Sequence, residues 1–168
     1  MSDSLSEDRG SSSDGTEEQQ RLHPAADAAS RAPLARAARI LLVPYSIGVL
    51  LLTWLPAADA GKVTGVVAVL AQVLAAWGVP FPVAYTALEF TANIALFVPL
   101  GVLLPIAWRG LPTWSVVAVG CAASVMIELV QLTMPSRYST ISDVVANTLG
   151  TAVGIGIVRA VSKARRTG

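Results

Sequence analysis

Residues 90–108 read FTANIALFVPLGVLLPIAW, nineteen consecutive positions without a charged side chain. A helix that crosses the hydrocarbon of a bilayer needs roughly 20 largely apolar residues. This stretch meets that length, entered from Leu88 or Glu89. Three further runs read the same way: residues 40–58, residues 113–133 with Glu128 near their end, and residues 141–161 with Asp143 near their start.

The remaining composition agrees. Only 14% of the 168 residues are charged, against about 25% in a soluble domain. The first 39 residues hold 12 of those charges, whereas residues 40–158 hold Asp59, Lys62, Glu89, Arg109, Glu128, Arg137 and Asp143 alone. So few charges cannot clothe a water-soluble core, which excludes a cytosolic globular enzyme. The expected fold is all-α: a multi-pass transmembrane helical bundle of four spans, with an added interfacial or re-entrant helix. Three regions are expected: a disordered cytoplasmic tail over 1–36, a membrane domain over 37–162, and a basic C-terminal tail over 163–168. The tail is rich in Ser, Asp, Glu and Gln and has too little apolar surface to fold alone. Its acidic start lacks the apolar region of a secretory signal. There is no internal repeat.

The stretch VTGVVAVLAQVLAAWGV at 63–79 is apolar but short. With four spans both termini share one side. That side collects Arg31, Arg36, Arg39, Arg109, Arg159, Lys163, Arg165 and Arg166, and the other keeps Lys62 and Arg137. Basic residues favour the cytoplasmic side, so a cell-membrane protein with both termini cytoplasmic is expected. A fifth span would separate the two basic ends. Residues 63–79 are therefore read as a helix in or dipping into the outer interface. Trp54, Trp77, Tyr85 and Tyr138 fall near the outer boundary, and Trp108 and Trp114 flank the inner loop.

Cys121 and His23 are the single cysteine and histidine. No intrachain disulfide and no His/Cys zinc site can form, and no metal or other cofactor is expected. Basic residues form no stripe interleaved with aromatics, so nucleic acid is set aside. Membrane lipids are the expected surroundings, and the chain could form a homo-oligomer. The preference for Arg over Lys points to a GC-rich bacterial genome.

Chain direction brings the polar residues of three spans to one level. Glu89 and Asn93 sit four apart at the outer end of the second span. Glu128 and Gln131 sit three apart at the outer end of the third. Asp143 and Asn147 sit four apart at the start of the fourth, with Arg137 in the loop between. Each spacing puts the pair on one helix face. Ionisable groups inside a span are expensive, about 2.5–3.5 kcal/mol each on insertion scales, and face the bundle. Glu128, Arg137 and Asp143 are the candidate catalytic residues, and Glu89, Asn93, Gln131 and Asn147 the candidate ligand contacts. Each has a structural reading beside the functional one. Arg137 can brace Asp143 or Glu128, Asp143 can complement a helix dipole after Ser139 and Thr140, and the amides can join helices. Gly150 and Gly154 share the face of Asp143 and Asn147, so a neighbouring backbone can approach there. Gly120 and Ser124 offer a second small contact on the third span. Pro99 cannot donate to the carbonyl of Ala95 and should kink the second.

The segments EFTANIALFVPLGVLLP at 89–105, IELVQL at 127–132, Arg137 and ISDVVANTLGTAVG at 141–154 together resemble the VanZ-like family. That family is named for a membrane protein associated with resistance to the glycopeptide teicoplanin. The resemblance implies a role in the cell envelope and carries no established reaction. Its polar pattern falls on Asn93, Glu128, Gln131, Arg137, Asp143 and Asn147, with Glu89 beside them. Three functions follow as expectations. One is a non-catalytic protein whose outer cup binds a lipid-linked cell-wall precursor or a glycopeptide. The second is an intramembrane enzyme acting on such a substrate, with Glu128 or Asp143 as base, Arg137 as anion clamp and the acids holding a divalent cation. The third, a small carrier, lacks polar residues in the inner halves of the spans.

Overall fold

The computed structural model describes residues 11–54, 57–133 and 140–167, with side chains over 32–53, 65–133 and 140–165 and at Thr167. The described residues form five helices and no strand: α1 (Ser11–Trp54), α2 (Ala57–Ala76), α3 (Phe81–Ala107), α4 (Thr113–Gln131) and α5 (Ile141–Thr167). Four segments are long and apolar enough to cross a membrane: Ala32–Thr53, Phe81–Ala107, Thr113–Gln131 and Ile141–Arg165. The chain is a multi-pass helical membrane protein.

Cross-helix hydrogen bonds fix the up-and-down order. At one end Arg39 Nε of α1 donates to the Ala107 carbonyl at the close of α3 (3.0 Å), and Arg159 of α5 donates to Thr113 Oγ1 at the start of α4. At the other end Gln131 Nε2 of α4 donates to the Thr53 carbonyl of α1 (3.1 Å), and Asn93 of α3 meets Asp143 of α5. The first is the basic end, with Arg36, Arg39, Arg109, Arg159, Lys163 and Arg165. The second is the acidic end, with Glu89, Glu128 and Asp143.

Two apolar layers fill the bundle. Ala38, Leu42, Leu104, Ala107, Val116 and Ile155 join all four spans near the basic end. Val49, Phe97 and Ile127 form the next layer, with Tyr45 against both. The outward faces are apolar too. Ile40, Val43, Ile47 and Leu51 form an exposed stripe on α1, and Val145, Leu149, Val153, Ile157 and Val161 one on α5. In water such stripes would carry charge; here they suit lipid.

The tightest contact is between α3 and α5. A methyl group at Gly150 would overlap the Ile94 carbonyl, one at Gly154 the Val98 carbonyl, and one at Gly101 the Thr151 carbonyl. The small-residue face of α5 therefore packs inside the chain. Gly120 of α4 makes room for the Thr151 hydroxyl in the same way. Tyr45 reaches α3 near Pro99: its hydroxyl donates to the Leu96 carbonyl at 2.8 Å. α3 is helical through both Pro99 and Pro105.

Within α1, Arg39 lies on the Ala107 carbonyl and 5.7 Å from the Trp108 ring centre. The backbone is helical from Ser11. The basic residues from 163 continue α5. α2 packs on α3, and among the described residues its apolar stretch is Gly65–Ala76. It stops at Gly78, whose φ of 96° suits glycine. The Gly78 N–H bonds the Ala75 carbonyl and the Val79 N–H the Leu74 carbonyl (3.0 and 3.1 Å), the paired bonds of a Schellman cap. Pro80 follows and α3 begins.

Candidate functional site

Helical rise places the polar side chains in one slab. Measured from the basic-end ring of Ala107, Thr113 and Arg159, the candidates on α3, α4 and α5 lie about 18–27 Å up the helices at 1.5 Å per residue. A hydrocarbon core is about 30 Å thick. The slab therefore occupies the half of the membrane nearer the acidic end.

Asn93 and Asp143 join α3 to α5. Asn93 Nδ2 donates to Asp143 Oδ1 at 2.7 Å, and Thr140 Oγ1 donates to Asp143 Oδ2 at 2.8 Å. Both carboxylate oxygens thus accept hydrogen bonds. Thr140 precedes the first residue of α5 and Asp143 is its third, the spacing of a capping box. The Asp143 N–H also donates to the Thr140 carbonyl at 3.0 Å. Asp143 therefore serves the helix start and the interhelical contact together. Glu89, one turn before Asn93 and exposed, lies within electrostatic reach of Asp143.

Asn147, one turn further along α5, faces α4. Its Nδ2 donates to Ser124 Oγ at 2.8 Å inside the bundle. Asn147 is only 4% exposed, and its Oδ1 is buried with no hydrogen-bond partner. Thr151 closes the column below, its hydroxyl donating to the Asn147 carbonyl at 3.1 Å. Glu128, one turn above Ser124 on α4, is buried, as is Gln131, which ties α4 to the Thr53 carbonyl.

Six of the seven candidate residues are thus placed in one slab on three neighbouring helices. The described hydrogen bonds pair Asn93 with Asp143, Asn147 with Ser124, and Gln131 with the Thr53 carbonyl. Arg137 lies outside the described residues. Among the described residues no three His, Cys, Asp or Glu side chains gather as metal ligands, so Glu89, Glu128 and Asp143 do not form the divalent-cation site that an enzymatic reading would use. Ser124 and Thr151 are polar partners missed by sequence reasoning, and Thr140, read there only as part of the helix start, is a hydrogen-bond donor to Asp143. Ser124 reads as a small packing residue, although its place four before Glu128 puts it on the polar face. The Thr-x-x-Asp spacing at 140–143 was the available signal for Thr140.

Residues 41–162 match the VanZ/LLP1 family. The chain belongs to that family. The match takes in most or all of each span and every residue of the polar slab, and its range also includes Arg137. Comparison with curated proteins and with solved structures gave no match.

Proposed function

We propose that this VanZ/LLP1 protein is a non-catalytic envelope protein. Its polar slab walls a cup open to the outer leaflet and takes the polar head of a lipid-anchored envelope molecule. That ligand is a lipid-linked cell-wall precursor or a glycopeptide of the teicoplanin kind. The excess of basic residues at the opposite end supports this orientation.

The observation that carries the proposal is Asn147 Oδ1. A buried acceptor without a partner is uncommon in a folded protein, and this one lies on the helix face that also carries Asp143. A hydroxyl or amide N–H of a headgroup satisfies it. Glu89 at the exposed rim adds an acceptor-rich edge suited to sugars, amines and peptide N–H groups, and Arg137, by its place in the loop before α5, supplies the complementary anion contact. The pairing of Asp143 fits a binding role: with both oxygens engaged by Asn93 and Thr140, its carboxylate is held in place as part of the wall.

The test is drug susceptibility in a glycopeptide-sensitive Gram-positive host carrying the wild-type chain, Glu128→Gln or Arg137→Ala at matched expression. Selective protection from teicoplanin over vancomycin, lost in either variant, is the expected result. No protection by the wild-type chain removes the glycopeptide arm and leaves the lipid-linked precursor as ligand.

A further inference from the structure

At the basic end, away from the cup, a groove of about 920 Å³ opens along α4 and α5, lined among others by Thr113, Trp114, Val117, Ala118 and Arg159. We propose that it binds one anionic diacyl phospholipid from the leaflet that meets this end. Three independent features converge on that chemistry. Arg159 is exposed, and its described hydrogen bond goes to the neutral Thr113 hydroxyl, so the guanidinium is held in place without being neutralised by that contact. No described side chain at this end is acidic, whereas Arg109 in the loop before α4 and Lys163 and Arg165 further along α5 add positive charge beside the groove's own elements. α4 starts at Pro112 without a side-chain cap, and its first intrahelical donors are Ser115 and Val116. The N–H groups of Thr113 and Trp114 and the positive pole of the helix therefore face the position that Arg159 addresses. Helix N-termini bind phosphate by this arrangement.

The apolar half of the ligand follows from the direction of α4. Val117 and Ala118 lie one turn further into the bilayer than Thr113, about 6–7 Å by helical rise, and form the apolar wall along which an acyl chain can run. Trp114, 72% exposed at the mouth, is the residue type that settles at the headgroup level. A soluble phosphate ion would use the Arg159 end and leave this wall bare, so the groove fits a phosphodiester carrying chains.

The experiment is native mass spectrometry of the full chain released from nanodiscs that mix phosphatidylglycerol with phosphatidylcholine of identical chains. The wild-type protein is expected to retain one phosphatidylglycerol in preference to phosphatidylcholine. Arg159→Gln should weaken that retention about tenfold, the loss of one charge-assisted contact. Trp114→Ala should weaken it in part, and Arg36→Gln, which removes a basic residue outside the groove, should leave it unchanged. Should Arg159→Gln fail to fold, Arg159→Lys keeps the charge and loses the fork, and an intermediate retention is expected. Equal retention of both lipids, or equal loss in Arg36→Gln and Arg159→Gln, overturns the proposal. So does a dimer that Trp114→Ala dissociates without any lipid preference, which would assign the groove to a second copy of the chain.

Discussion

Asn93 lies twelve residues into α3 and Asp143 only two residues past the start of α5, yet the two side chains meet at 2.7 Å. Their contact sets the stagger of the helices. α3 runs on about 18 Å beyond it toward Phe81, and α5 only about 3 Å toward Ile141. The projecting part of α3 continues into the turn at Gly78 and into α2. The bond lies at the same α3–α5 seam that Gly150, Gly154 and Gly101 close. A double-mutant cycle on Asn93→Ala and Asp143→Ala, read as thermal stability in detergent, should give a coupling of about 1 kcal/mol, near the upper part of the range for polar pairs in membrane bundles. Additive losses would mean that the two residues act separately.

The glycine contacts give a sharper steric prediction. Gly150→Ala and Gly154→Ala would each drive a methyl into a carbonyl of α3 that belongs to rigid helix backbone. Each should cost about 1–3 kcal/mol, the usual penalty of overpacking, seen as a lower unfolding temperature and more aggregation after extraction. Gly156→Ala, where an added methyl meets open space, should be neutral or slightly stabilising and serves as the control.

Ser124 and Asn147 should behave asymmetrically. Ser124→Ala removes the partner of a buried amide and should destabilise by about 1–3 kcal/mol, the cost of stranding a buried polar group. Adding Asn147→Leu to Ser124→Ala removes the stranded group and should recover part of that loss. The double variant should still lack ligand binding, because Asn147 Oδ1 is gone. Recovery of stability together with full binding would separate Asn147 from the cup.

The Tyr45 hydroxyl supplies a check on the middle of the bundle. Tyr45→Phe keeps the ring between the two apolar layers and loses the bond to the Leu96 carbonyl. A loss of about 1 kcal/mol is expected, with ligand binding at the acidic end unchanged, since the contact lies below the slab.

The spans were legible because lipid imposes a simple demand: charge-free runs long enough to cross. The common level of Asn93, Glu128, Gln131, Asp143 and Asn147 followed from chain direction alone, and the glycines at 150 and 154 announced the close approach of a backbone. The partner of that face was not legible, since small residues permit an approach without naming the helix that makes it. The pairing of Asn93 with Asp143 was hidden for a related reason. Stagger is set by contacts between distant segments, and a rule that places polar residues by depth cannot match them two by two. Ser124 was read by size when its hydroxyl mattered.

The central claim is that the acidic-end slab binds the head of a lipid-linked envelope molecule. Its most direct test is equilibrium binding of a labelled polyprenyl-linked cell-wall precursor to the purified chain in nanodiscs, with wild type compared with Asn147→Leu and with Tyr45→Phe. Saturable binding that Tyr45→Phe keeps and Asn147→Leu weakens about tenfold or more, by loss of a buried hydrogen bond, is the predicted result. Binding of equal strength in wild type and Asn147→Leu, or no saturable binding by the folded wild-type protein, would contradict it.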